Sequence, residues 1–289
     1  MSAIDRSTLS IGAMTRSEVD VLGQWAASEG WNPGHNDLDI AWKTDSEAFI
    51  ALRRGEELLG GGTIFSYDGD FGFMGLFILR PDVRGQGLGA WLWHERVRRL
   101  KQRLKPDASI GMDGVLAMAP FYAQGGFVLA YRDLRFEGIA PAMAEPPGLS
   151  PLSSVPFDTL AAYDRSLVPA ARERFLGFWL DQPGAIGRCL LDHGKLRAYG
   201  LVRPCVSGYK VGPLFAETPA EAEHVLTGLL AAIPGEQVQL DVPETNTAGL
   251  ALAAKFGLVE SFACARMYNG PDPGLPTQRI FGVTSFEFG

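Results

Sequence analysis

Arg84-Gly85-Gln86-Gly87-Leu88-Gly89 follows an apolar run from Phe71 to Leu79 and opens a helical pattern from Ala90 to Leu104. A strand that ends at a glycine-rich bend and turns into a helix makes an anion site. Glycines let the backbone approach closely, the first-turn N–H groups are unpaired, and the helix dipole favours negative charge. The expected guest is a phosphate or pyrophosphate. Gly85, Gly87 and Ala90 also satisfy a loose dinucleotide fingerprint, which would imply a dinucleotide-dependent oxidoreductase. A dinucleotide fold places that loop after its first strand, whereas hairpin-like strands come first here.

The flanking residues add a second signal. Leu79-Arg80-Pro81-Asp82-Val83-Arg84 leads into the loop, and Phe121-Tyr122-Ala123-Gln124-Gly125-Gly126-Phe127 lies downstream. Together they resemble the two signature segments of the GNAT N-acetyltransferases. The pyrophosphate loop, Arg/Gln-x-x-Gly-x-Gly/Ala, falls on Arg84, Gly87 and Gly89. The helix end, Phe-Tyr-x-x-x-Gly-Phe, falls on Phe121 to Phe127. The resemblance implies acetyl-CoA as co-substrate, no metal, and direct attack of a primary amine on the thioester. A non-catalytic acyl-CoA sensor is the reading from another class.

On the family pattern, the backbone of Phe77, Ile78 and Leu79 holds pantetheine and polarises the thioester carbonyl. Gly85, Gln86, Gly87, Leu88 and Gly89 take the pyrophosphate, and Arg84 aids the phosphates or braces the loop. Tyr122 holds the position of the general acid, and a phenol is protonated at neutral pH. An asparagine often found seven residues before that tyrosine is Val115 here. Asp113 ends a strand and is a candidate base, or, like Asp241 in the other half, a brace for the following turn. The loop from Glu29 to Asp37 lies where GNAT proteins line the acceptor pocket. Trp31 offers a ring for stacking, Asn32 a polar contact and Asp37 a partner for an ammonium.

The chain has 289 residues, 46% of them hydrophobic, and a net charge of −7. That is enough apolar content for two cores, and an acidic balance argues against a nucleic-acid partner and suits an amine. The acceptor is a small-molecule amine or a protein or peptide amine. Three widely spaced cysteines form no metal pattern, and neither a signal segment nor a membrane-length apolar run occurs, so a cytoplasmic protein with no membrane partner is expected.

Residues 139–155, with Pro141, Pro146, Pro147 and Pro151, read as a linker with little regular structure. The halves on either side align. Gly72-Phe73-Met74 matches Gly208-Tyr209-Lys210 at an offset of 208 − 72 = 136, and Met112-Asp113 parallels Leu240-Asp241. At that offset the glycine loop corresponds to Ala220–Val225, which contains no glycine, and Thr218 with Glu221 forms an acidic capping box. The expected architecture is therefore α/β (α+β), with two tandem GNAT-like domains. Each is a mixed, mostly antiparallel central sheet flanked by helices. Residues 1–138 form the catalytic domain, and residues 156–289 form a degenerate one that binds no cofactor. Tyr209 and Lys210 in the latter are expected to help shape the acceptor site.

Overall fold

A computed structural model describes residues 6–289. The first half runs β1 (Leu9–Ala13), α1 (Arg16–Ser28), α2 (Asp37–Thr44), β2 (Phe49–Arg54), β3 (Glu57–Tyr67), β4 (Phe71–Leu79), α3 (Leu88–Gln102), β5 (Ser109–Val115), α4 (Ala119–Gln124) and β6 (Val128–Ile139). The second half follows with β7 (Leu149–Pro151), α5 (Phe157–Arg165), α6 (Glu173–Leu180), β8 (Ile186–Asp192), β9 (Lys195–Pro204) and β10 (Tyr209–Ala216). It closes with α7 (Pro219–Ala231), β11 (Gln237–Pro243), α8 (Thr247–Lys255), β12 (Val259–Asn269) and β13 (Ile280–Gly282).

Local chemistry sets several of these boundaries. Thr15 accepts the N–H of Glu18 and Glu18 reaches back to the Thr15 N–H, so the expected capping box starts α1. Asp68 and Gly69 both take positive φ between β3 and β4, and the Asp70 N–H bonds the Tyr67 carbonyl, closing the turn of a three-residue hairpin connection. The linker is less bare than expected, because Leu149–Pro151 pairs with β8 as β7.

All strands join one sheet, ordered β1-β2-β3-β4-β5-β12-β6-β11-β10-β9-β8-β7, with β13 on β10. The stretches 127–131 and 134–138, each of which could read as a strand of its own, run together as the single strand β6. It leaves its own half to pair with β11, while β12 crosses back to pair with β5. Each half is thus completed by the last long strand of the other. Alternating apolar residues mark a strand but not its neighbour, which is why the sequence did not reveal the exchange. Two buried ion pairs seal it. Asp113 on β5 faces Arg266 on β12, with both oxygens bonded at 2.6 Å, and Asp241 on β11 faces Arg135 on β6 at 2.7 and 2.8 Å.

Helices cover both faces. On one, α1, α2, α5 and α6 with Phe286 and Phe288 share a single core that runs through both halves. On the other, α3 and α4 pack on the first half and α7 and α8 on the second, as two separate cores. No helix among the described residues is long and apolar enough to cross a membrane.

Candidate active site

The glycine loop opens α3 as expected. Gly85 and Gly87 take φ of 74° and 75°, which glycine alone adopts cheaply, and Gly87 is the N-cap with no side-chain cap. No protein acceptor takes the N–H groups of Leu88, Gly89 and Ala90, so the helix start keeps its donors for an anion. Arg84 donates to the Leu79 carbonyl at 2.8 Å and pairs with Glu29, so it braces the loop. The nearer loose cation is Arg6, whose Nη2 lies 3.3 Å from where a Cβ on Gly87 would sit.

Upstream, β4 and β5 are parallel neighbours only from Phe71–Met74 against Ser109–Met112, and beyond that they part. At the split β4 carries a bulge, with Leu76 at φ 50°, a conformation rarely held by a leucine. The extra residue reverses the alternation of side chains. Phe71 and Phe73 join the shared core and Met74 the α3 core, whereas after the bulge Leu76 returns to the shared core and Phe77 to the α3 core. Arg96 on α3, fully buried, donates to the freed carbonyls of Thr63 and Gly75 at 2.6 and 2.7 Å. Burial without a carboxylate partner lowers its pKa to about 9.

The split strands open a cleft of about 560 Å³. Trp93, Arg96 and Tyr122 line it from the α3 face, and Trp31, Phe262 and Phe286 from the shared-core side. Tyr122 packs against Trp93 in a tilted arrangement with ring centroids 4.7 Å apart, and its hydroxyl meets no protein partner. Burial pushes the phenol up to about 12, against a smaller opposing effect of Arg96. A proton donor therefore faces the point where the strands part.

The other expected residues divide. Phe77 lines the cleft, while Ile78 and Leu79 continue β4 along β3 toward the loop. Trp31 lines the cleft, and its carbonyl accepts from Arg135 at 3.1 Å. Asn32 does not line it; its amide staples the loop to Ser207 and Gln239 of the second half. Asp37 is buried in a two-point bond with Arg203 at 2.9 and 3.0 Å, so an internal guanidinium occupies the place expected for an ammonium. Asp113 lines the cleft, but both its oxygens are held by Arg266, so its carboxylate is engaged as a brace between β5 and β12. Lys210 donates to the Asn32 and Trp31 carbonyls at 3.1 and 3.4 Å and so fixes the backbone of the acceptor loop from behind. Tyr209 packs against the α7–α8 core, away from the cleft. The tail residues Phe286 and Glu287, which no motif marked, are part of the lining.

The second half differs from the first at the corresponding place in two ways. Eight residues, 80–87, separate β4 from α3, but only Glu217 and Thr218 separate β10 from α7. The repeat offset drops from 136 before this connection to 240 − 112 = 128 by β11, and the shorter connection accounts for six of those eight positions. Ala220–Val225 is therefore helix interior rather than a worn glycine loop. Thr218 caps α7 through the Glu221 N–H, but the Glu221 carboxylate turns to Arg197 at 2.8 Å and Glu223 to Lys255 at 2.6 Å. The expected reciprocal box is half present, and its carboxylates are paired. In addition β10 and β11 pair only at Tyr209–Val211, and β13 fills the gap beyond. The tail then crosses to the first half. A Cβ on Gly212 would lie 2.6 Å from the Thr284 carbonyl oxygen, and one on Gly75 2.2 Å from that of Glu287.

No group of three or more metal-ligating side chains occurs among the described residues. Residues 18–127 match the Acetyltransferase (GNAT) family, and residues 160–282 match the Acetyltransferase (GNAT) domain. The chain is 26% identical over 274 residues to Holothin acyltransferase of a Pseudoalteromonas species, covering 94% of this chain and 92% of that one. Among solved structures, a putative acetyltransferase from Pyrococcus horikoshii superposes with a TM-score of 0.84 at 20% identity, over 99% of this chain and 98% of that one. A tandem GNAT protein from the clavulanic acid biosynthesis pathway gives 0.62 at 15% identity, over 91% and 99%. At these identities the structural likeness is one of fold.

Proposed function

The chain belongs to the GNAT acetyltransferase family, with one such domain in each half, and from that premise we propose that it transfers an acetyl group from acetyl-CoA to a small primary amine by direct attack. The observation that carries this reading is the Tyr122 hydroxyl, unpartnered and protonated, on the cleft that opens between β4 and β5. The donor-rich start of α3 suits the pyrophosphate, and the parting of β4 from β5 suits pantetheine between them. The aromatic lining of Trp31, Phe262 and Phe286 favours a small apolar amine over a charged polymer. The relative named Holothin acyltransferase supports acyl transfer as the reaction class.

Amide formation requires a neutral amine nitrogen at the thioester carbon and a proton for the departing sulfur. Tyr122 supplies the latter. Release of free thiol from acetyl-CoA across a panel of primary amines tests the reading, with the Tyr122→Phe protein beside the wild type. Turnover falls by about 10²-fold or more in the variant, the scale of one positioned proton transfer, while coenzyme A affinity stays unchanged. Coenzyme A binding with no turnover of any amine would make the protein an acyl-CoA sensor instead.

A further inference from the structure

We propose that Glu287, on the tail contributed by the second half, binds the acceptor ammonium and takes the proton that must leave before nitrogen attacks. The assignment rests on the acyl-transfer reading above. It starts from elimination. Only two acidic side chains line the cleft among the described residues, and Asp113 is held by Arg266 through both oxygens. Glu287 has no cation partner. Its Oε2 accepts the Ser285 hydroxyl and its own N–H donates to Ser285 Oγ at 3.0 Å, a local ring that fixes the side chain. No protein donor reaches Oε1, and this oxygen is not among the enclosed, unbonded atoms, so it keeps an accessible face on a residue that lines the cleft.

The surroundings fit the role. The Glu287 carbonyl packs against Gly75 at the bulge, which sets the residue beside the split strands and on the same cleft as Tyr122. The charged groups facing it are Asp113 from β5, Arg135 from β6, Arg203 from β9 and Lys210 from β10. Arg135 is committed to Asp241, Arg203 to Asp37 and Lys210 to two carbonyls, so none of them occupies Oε1. Trp31, Phe262 and Phe286 supply apolar walls. The acceptor class is an apolar primary amine whose ammonium needs deprotonation.

The step balances. The ammonium gives one proton to Glu287, and the neutral nitrogen forms a bond to the thioester carbon. The C–S bond breaks and the sulfur takes the Tyr122 proton. The second nitrogen proton restores Tyr122, and Glu287 releases its proton to water.

The test compares wild type, Glu287→Gln and Ser285→Ala across pH, with acetyl-CoA saturating and two acceptor classes, apolar alkylamines and weakly basic arylamines. In Glu287→Gln, kcat/KM for alkylamines falls by about 10²-fold or more and the acidic limb of its pH profile disappears, with coenzyme A affinity unchanged. Arylamines, already neutral, lose much less. Ser285→Ala, which keeps the carboxylate, retains the limb at a displaced pH. A Glu287→Gln protein that matches wild type on both classes overturns the assignment. If the wild type acetylates no amine, the acyl-transfer reading fails by itself. Calorimetry then decides Glu287 separately: equal alkylammonium binding by wild type and Glu287→Gln overturns it.

Discussion

Three buried aspartates near the cleft each have an arginine from the other half to themselves, and a fourth, Asp133, only shares the Arg266 that holds Asp113. Neither Asp133 oxygen makes a conventional hydrogen bond, and its nearest cation is Arg266 Nη2 at 3.5 Å. Burial, and then the adjacent Asp113, push its pKa well above the usual carboxylate range. A raised folded value contributes stability that is full below the unfolded value and lost as pH rises through the folded one. Asp133→Asn is therefore more heat-stable than wild type at neutral pH, with the gap in Tm closing toward about pH 4. The opposite sign holds for Asp37 and Asp241. Burial alone would raise them, but Arg203 and Arg135 outweigh it, so their stabilisation is present at neutral pH and lost on acidification. Arg203→Met leaves Asp37 buried and unpaired, and costs about 3–5 kcal/mol in a denaturant titration. Tyr122 was legible because its motif is local. Asp113 was ambiguous because its partner lies 153 positions away on β12, and Glu287 was invisible because nothing near it in sequence announces a cleft.

Among the elements, the glycine loop is what most clearly distinguishes the two halves. Gly87→Glu puts a β-carbon at φ 75° and a carboxylate beside the free donors of α3. Calorimetry is expected to find coenzyme A binding abolished and circular dichroism to find the fold intact, since the loop is exposed. We predict one coenzyme A per chain in the wild type, because β13 fills the second splay and β10 turns into α7 with no room for a loop. Two equivalent sites would contradict that geometry. Most strands and helices were readable within a few residues, since period-2 and period-3.6 patterns and the Thr15–Glu18 box are local signals. The deletion after β10 was hidden by carrying one offset through the repeat. Only the later match at Asp241, eight positions out of step, betrays it.

At the scale of the whole molecule, the exchange of β6 and β12 makes the sheet a joint product of both halves. Residues 1–138 alone present β5 with no β12 and leave β6 without either neighbour, so this fragment is expected to be unfolded or aggregated. Two fragments divided within 141–148 and made together re-form a complex that is active if the wild type is, whereas independent folding of 1–138 would refute the interlock. Sequence could show a repeat but not this pairing, because β6 and β12 carry the same alternation and suit either edge. The exchange also bears on inheritance. A spare copy arising by duplication is normally free to be discarded once it falls silent. Here the second half was free to lose its loop, but any lineage that deleted it would lose the strand that closes the working sheet. The crossing makes the strand of the second half a standing requirement of the sheet, whatever its own connections do.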